Sequence, residues 1–393
     1  MNDNERSYYC SMKFKFLKID LESNTTYNCH AASPHAIDFT YLDKNPGQLF
    51  NIPINVAERQ QMLNNQRNRS CEQNCWTAED RGATSPRIVQ FGTEKTHTDV
   101  FAPPEEIDLT LGSDCNLTCS YCCKEFSNGW RRDLIKDGDY TITDAPDDRY
   151  TITPRDRMLV NIKQSTLKQS KRYQQLLEEI TFCAPNLKKL VVTGGEPLLD
   201  NHLLGILENL PVSNTTEIRI YTGLGVSNTR FNKILDQLAG IPNLILFISA
   251  ENTHKYLEFN RYGNKWDEYL DKIQQIKKRN IRHIFQSTLS NLTLFGFTEF
   301  YKMFGDNTTR VLFAYQPRFM APNVLDQQSK QYLAEQFQSL PVDLRDRLIK
   351  SMQEPAGEKD RTNMCEFLKQ FVQRRGDLDI NIYPKSFLEW LGV

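Results

Sequence analysis

Six short apolar runs set the rhythm of the chain from about residue 106 to residue 317: EIDLTLG, KKLVVTGG, TEIRIYTG, NLILFISA, RHIFQSTL and RVLFAYQP. The first alternates apolar and polar positions with a period of two. KKLVVTGG is nearly continuous, as in strands buried on both faces of a parallel sheet. Between the runs lie segments of helical period. In RFNKILDQLAG, Phe231, Ile234, Leu235 and Leu238 recur at helix spacing, and Gly240 supplies a C-terminal stop. In DEYLDKIQQIKKRN, Tyr269, Leu270, Ile273 and Ile276 share one face, with basic residues in the last turn. Strands alternating with helices predict parallel βα units with right-handed crossovers. An open sheet and a barrel-like arc both satisfy that pattern.

Three stretches depart from it. KFKFLKIDLESNTTYNCHA reads as two strands around a Ser-Asn turn, and FAPPEE reads as a linker, because two prolines in series resist helix and sheet alike. YTIT at Tyr140 recurs at Tyr150 around DAPDDR and predicts a β-hairpin. The chain beyond about Phe319 is charged and helical in pattern and ends in SFLEWLGV, an apolar cluster expected to dock on the body. These breaks divide the chain into 1–105, a small cysteine-rich module; 106–318, an α/β core; and 319–393, a helical extension.

Composition narrows the class. The chain has 393 residues, with 48 basic against 49 acidic side chains, so nothing in it favours nucleic acid or an anionic membrane surface. A mean hydropathy of −0.56 and the absence of a long apolar run exclude a membrane span, and the polar start MNDNERSYYC lacks the order of a secretory signal. A cytoplasmic protein is expected. Its ten cysteines then read as metal or iron–sulfur ligands rather than as a disulfide framework.

The sharpest motif is DCNLTCSYCC, directly after the first core strand: Cys115, Cys119 and Cys122 in a C-x3-C-x2-C spacing. Structural zinc sites want four closed ligands, usually as two separated pairs. Three thiolates in one loop leave a position open, which on a four-iron cubane can bind a small molecule. LVVTGGEPLL follows at the end of the next strand, where Gly194 and Gly195 would let backbone approach a ligand closely and Pro197 fixes the turn. Ligands of parallel α/β proteins gather at the C-terminal ends of strands, so both motifs would face one pocket.

Together these residues resemble the radical S-adenosylmethionine (SAM) superfamily over about 106–317. CNLTCSYC is similar to its cluster motif, with Tyr121 at the aromatic position beside the adenine. GGEP is similar to the motif whose backbone and Glu196 meet the methionyl amino group. The resemblance implies a partial (β/α)6 TIM barrel, a 4Fe–4S cluster on Cys115, Cys119 and Cys122, and SAM as co-substrate. It implies an electron donor such as flavodoxin or ferredoxin, and hydrogen abstraction from a substrate by a 5′-deoxyadenosyl radical. Ser249 and Glu251 in ISAEN, and Gln286, Ser287 and Asn291 in FQSTLSN, stand by position for ribose and carboxylate contacts. No Ser-His-Asp order stands out and the six histidines are scattered, so no catalytic residue is assigned.

Cys123, Cys183 and Cys365 read as bystanders, which leaves Cys10, Cys29, Cys71 and Cys75. Four thiolates close one iron–sulfur cluster completely, and a four-cysteine zinc site is the competing reading. MLNNQRNRSCEQNCWTAEDRGATSPR resembles the end of a SPASM or twitch auxiliary module of the same superfamily, although such modules more commonly follow the barrel. That likeness implies a second 4Fe–4S cluster able to accept an electron from a substrate radical. A small-molecule substrate is favoured over a peptide, because no leader-binding domain is evident. The alternative is a non-catalytic binding protein stabilised by zinc or iron–sulfur on the same scaffold. Arg131, Arg132 and the YGNKW stretch around Tyr262 read as solvated or packing residues.

Overall fold

The computed structural model describes residues 7–142, 148–161, 170–305, 309–354 and 356–392. Its strands are β1 (Phe16–Asp20), β2 (Thr25–Tyr27), β3 (His35–Ala36), β4 (Glu106–Thr110), β5 (Thr118–Cys119), β6 (Lys189–Thr193), β7 (Glu217–Thr222), β8 (Leu244–Ser249), β9 (Arg261–Tyr262), β10 (Arg282–Leu289) and β11 (Thr309–Phe313). One mostly parallel sheet carries nine of them in the order β11-β10-β8-β7-β6-β4-β1-β2-β3, and β5 pairs with β9 in a separate antiparallel ribbon.

The six expected core strands are β4, β6, β7, β8, β10 and β11. Each runs parallel to its neighbour in chain order, as a partial (β/α)6 barrel requires. Their sequences explain their places. LILFIS in β8 is buried at its first five positions, as a central strand covered on both faces must be. EIRIYT in β7 alternates half-buried and buried side chains. Helices such as Asn228–Leu238 and Trp266–Lys278 lay Phe231, Ile234, Leu235, Leu238, Tyr269, Ile273 and Ile276 on the sheet.

The sheet does not begin at β4. FLKID of the N-terminal module forms β1, parallel to β4 in a register from Phe16–Glu106 to Asp20–Thr110. β2 turns back against β1, pairing Tyr27 with Lys18 and Thr25 with Asp20, with Asn24 in the left-handed region at φ 54°. The boundary expected at 105/106 therefore falls inside a single sheet.

The hairpin expected around the repeated YTIT falls partly on 143–147, outside the described residues. On its flanks, Tyr140 N–H donates to Tyr150 O (3.0 Å), but Asp148–Tyr150 is a 3-10 turn and Pro154–Asn161 is a helix. The aromatic rings of both echoes turn inward. Tyr140 and Tyr150 pack with Trp130 against Phe367, on the C-terminal helix Glu358–Arg375. The last helix, Lys385–Leu391, docks Phe387 on Phe295 at 4.9 Å between ring centres. Among the described residues no helix is long and apolar enough to cross a membrane.

Candidate radical SAM site

The cysteine loop leaves the C-terminal end of β4 and is held at each ligand position by its backbone. Cys115 O accepts from Gly129 N–H (2.8 Å) and from Arg132 Nη2 (3.3 Å). Cys119 O accepts from Cys122 N–H (3.0 Å) and from the Trp130 indole N–H (3.1 Å). Cys122 O accepts from the Tyr150 hydroxyl (3.1 Å). Apart from Cys122 N–H within the loop, these donors come from the helix Asn128–Asp137, which Ser127 caps, and from the segment after it. The loop is thus fixed by its own continuation, as a ligand set needs.

Cys115 and Cys119 are buried and Cys122 half-buried. Burial pushes the Cys115 thiol up to about 12 and Cys122 well above the usual range. Cys119 rises to about 11, burial outweighing the pull of Arg261. Arg261 lies opposite Cys119 in the β5–β9 ribbon, with Nη1 3.9 Å from the Cys119 sulfur. Its guanidinium also makes two bonds to Glu251, Nε to Oε1 at 3.0 Å and Nη2 to Oε2 at 3.1 Å. The Tyr121 hydroxyl donates to the same Oε1 at 3.0 Å. Tyr121 and Glu251 therefore meet at the cysteine loop, both tied into one buried cluster. Sequence reading missed Arg261; its signal was a lone arginine beside the Tyr262 it did single out.

The Gly-Gly-Glu-Pro turn sits beside this loop, and its glycines pack closely on it. Gly195 N–H donates to Gly112 O (2.8 Å) and Glu196 N–H to Asp114 O (2.6 Å). A Cβ on Gly195 would lie 2.5 Å from Asp114 O, and one on Gly194, whose φ is +146°, 2.8 Å from Gly112 O. Within the chain, the close approach these glycines permit is to the cysteine loop. Glu196 is fully enclosed. Its Oε1 accepts from the Thr222 hydroxyl (2.7 Å) and Leu198 N–H (3.1 Å), its Oε2 from Gly223 (2.9 Å) and Gly225 N–H (3.2 Å). Desolvation raises its carboxyl above the usual range despite these donors. Pro197 is buried at the head of the 3-10 turn that Glu196 caps.

The remaining candidates lie at the ends of β8 and β10. Ser249 is half-buried, and its carbonyl accepts from the Tyr269 hydroxyl at 3.0 Å. Gln286 is half-buried in β10. Ser287 is fully buried and spends its hydroxyl on Ala250 O at 2.6 Å. Asn291 donates from Nδ2 to Phe319 O (2.7 Å), while its buried Oδ1 has no partner among the described residues. Thr253 Oγ1, just after β8, is likewise buried and unpartnered. Two orphaned polar atoms at the C-terminal ends of strands, together with two buried thiols, the half-buried Cys122 and the buried Arg261, fit a thiolate-held cluster with a polar co-substrate. Among the described residues no three of His, Cys, Asp and Glu converge closely enough to hold one metal ion.

Cys10, Cys29, Cys71 and Cys75 are brought together elsewhere. They share one buried cluster with Tyr9, Phe14, Phe16, Met62 and Trp76. Cys10 precedes the start of β1, and Cys29 follows β2, which runs back toward that same end. This group therefore lies at the N-terminal end of the parallel strands, whereas the Cys115 loop leaves the C-terminal end. A five-residue strand alone spans roughly 16 Å. The expected hand-over of an electron from a substrate radical at the mouth to this group would therefore have to run the length of the sheet.

Residues 109–302 match the Radical SAM superfamily. The chain carries a radical SAM domain. Two GTP 3′,8-cyclases of Staphylococcus epidermidis are each 25% identical over 171 residues, which is 44% of this chain and 42% of the relative. The match thus spans less than half of those relatives. Among solved structures, native anSMEcpe with bound AdoMet is 12% identical at a TM-score of 0.35, over 69% of this chain and 61% of that one. SuiB of Streptococcus suis bound to S-adenosylmethionine is 12% identical at 0.32, over 89% and 72%. The radical SAM match leaves residues 1–105, with the second cysteine group, outside it.

Proposed function

We propose that this chain is a radical SAM enzyme acting on a small molecule, with Cys115, Cys119 and Cys122 holding a 4Fe–4S cluster. The observation that supports it best is the triad of thiols after the first core strand, two of them buried and the third half-buried, with Arg261 against Cys119. When bound, the cluster and SAM supply one-electron cleavage of the sulfonium, giving methionine and a 5′-deoxyadenosyl radical that removes hydrogen from the substrate. The chain's residues bind, orient and exclude water. Arg261 opposes the negative charge of the Cys119 thiolate, and Glu251 and Tyr121 hold Arg261 there. Asn291 Oδ1 and Thr253 Oγ1 are free to receive donors from the co-substrate. Trp130, Tyr150 and Phe367 seal the loop from the side of the C-terminal helix.

In this reading Cys10, Cys29, Cys71 and Cys75 hold a second, fully ligated centre that does not face the substrate, and a small redox protein such as flavodoxin or ferredoxin supplies electrons. The likeness over 171 residues to GTP 3′,8-cyclases favours a small molecule over a peptide. Anaerobic reconstitution tests the whole. The enzyme should hold about two cubane clusters and release 5′-deoxyadenosine from SAM under reduction, and C115A should lose that release. A protein that keeps only zinc and releases none is the non-catalytic binder instead. Deuterium carried from candidate substrates into deoxyadenosine identifies the substrate.

A further inference from the structure

The corner of the fold that buries Cys10, Cys29, Cys71 and Cys75 also buries charge. Lys13 is wholly shielded from solvent. Its ammonium donates to Asn28 Oδ1, to Glu58 Oε2 (2.6 Å) and to Ser70 Oγ (2.7 Å). Asn28 directly precedes Cys29 and Ser70 directly precedes Cys71, while Lys13 follows Cys10 on the same turn and donates its backbone N–H to Cys10 O at 3.3 Å. Lys13, through its ammonium and its backbone N–H, thus ties together the stretches that carry Cys10, Cys29 and Cys71.

The charge balance points the same way. Arg59, beside Glu58 in sequence, is 1% exposed and donates to Asn51 Oδ1 (2.7 Å), Phe50 O (3.3 Å) and Lys13 O (3.4 Å). Its Nε has no partner, and no carboxylate stands within ion-pair reach of it among the described residues. Arg87, also buried, is matched by Glu79 at 2.6 Å. Glu58 is thus spent on Lys13, while Arg59 feels Glu58 and Asp99 only at longer range and has no ion pair of its own in this apolar shell. Four protonated thiols offer nothing to offset its charge, and an uncompensated buried cation is costly. Four thiolates around either a zinc ion or a 4Fe–4S core form a dianion, which does.

We propose that Lys13, held by Glu58, Asn28 and Ser70, is the built-in counter-charge of a dianionic four-thiolate centre on Cys10, Cys29, Cys71 and Cys75. It rests on the reading above that those cysteines hold metal. Lys13 is a positioning residue that acts on its ligands' charge and on their register. Its removal should loosen the centre and, for iron, make it harder to reduce.

The test uses the full chain with C115A, C119A and C122A, so that any metal measured belongs to the second centre. Iron, zinc and visible absorption are measured after anaerobic purification. Four irons or one zinc per chain is expected, and the absorption tells the two apart. Finding neither overturns the metal reading itself. With metal present, K13Q keeps hydrogen-bonding groups and removes the charge; it should lose metal to a chelator about 10-fold faster or more. For iron, EPR-monitored titration should show a more negative midpoint potential in K13Q. E58Q, which frees the charge of Lys13, should shift the potential the opposite way and, for zinc, slow the loss. K13Q and E58Q both indistinguishable from the parent, with metal retained, would overturn the assignment of Lys13 and leave the metal centre standing.

Discussion

Arg261 and Glu251 face each other in a two-point ion pair enclosed by the barrel, 3.0 and 3.1 Å across its two bonds, with the Cys119 sulfur 3.9 Å from the same guanidinium. Removing one partner strands the other. E251A should lower stability by about 3–5 kcal/mol, because a buried guanidinium loses its anion, and urea unfolding of the metal-free protein measures it. R261M acts on the cysteine instead. Arg261 pulls the Cys119 thiol down toward about 11 against burial, so without it that thiol stands higher and the thiolate forms less readily. Iron loading of R261M should be poorer than wild type near pH 8 and recover as the pH is raised, since ligation requires deprotonation.

Gly195 and Gly205 predict opposite signs for the same substitution. A methyl on Gly195 meets Asp114 O at 2.5 Å, backbone against backbone, so G195A must push the Gly-Gly-Glu-Pro turn off the cysteine loop. A loss of about 1–3 kcal/mol and of iron binding is expected. Gly205 lies within the helix Leu203–Asn209 with nothing within 4 Å of an added Cβ. G205A should gain about 0.5–1 kcal/mol. Thermal midpoints of the two variants check both, and equal shifts would contradict the steric account.

The six core strands were legible because strands covered on both faces are nearly continuous apolar runs, and helices between them keep a period near 3.6. The cysteine loop and the Gly-Gly-Glu-Pro turn were legible because each sits at the end of such a strand. What escaped depends on pairing across long separations. FLKID carries no mark that it extends the sheet beside EIDLT. Lys13 falls in the alternating KFKF, where a lysine reads as a solvent-facing strand residue; it is buried because the chain there makes the helical turn Met12–Lys15 inside the cysteine cluster. Arg261 becomes a neighbour of Cys119, 142 residues away, only through the two-residue ribbon β5–β9. Gly194 and Gly195 were legible as tight positions, but a sequence does not say what they are tight against.

Tyr150 and Trp130 predict that the C-terminal helix governs the cysteine loop. Each holds a ligand's carbonyl, Tyr150 that of Cys122 and Trp130 that of Cys119, both at 3.1 Å, and both rings pack on Phe367. Y150F removes a single hydrogen bond, worth about 1 kcal/mol, and leaves the packing. It should fold normally and lose iron faster on exposure to a chelator. F367A, outside the loop altogether, opens a cavity worth about 3–5 kcal/mol and should weaken iron retention through the same two rings. A cluster unaffected by F367A would disconnect the helix from the site.

Glu179 carries the N-terminal module onto the barrel, and its pH behaviour can be signed. From the helix Lys171–Cys183 its two carboxylate oxygens accept the N–H groups of Gly47 and Leu49, each at 2.9 Å. Burial raises this carboxyl above its ordinary value of 4.5. A raised carboxyl binds its proton more tightly folded than unfolded, so its contribution to stability is full below about 4.5 and falls as the pH climbs through the raised value. Urea midpoints of the wild type should therefore drift down over that interval relative to E179Q, which has no proton to release. E179A should be the least stable of the three at every pH, because both N–H groups then lose their acceptor in a buried setting. If E179Q and wild type kept a constant difference from pH 4 to pH 8, the carboxyl would titrate alike in the folded and unfolded chain, and its burial would not be what raises it.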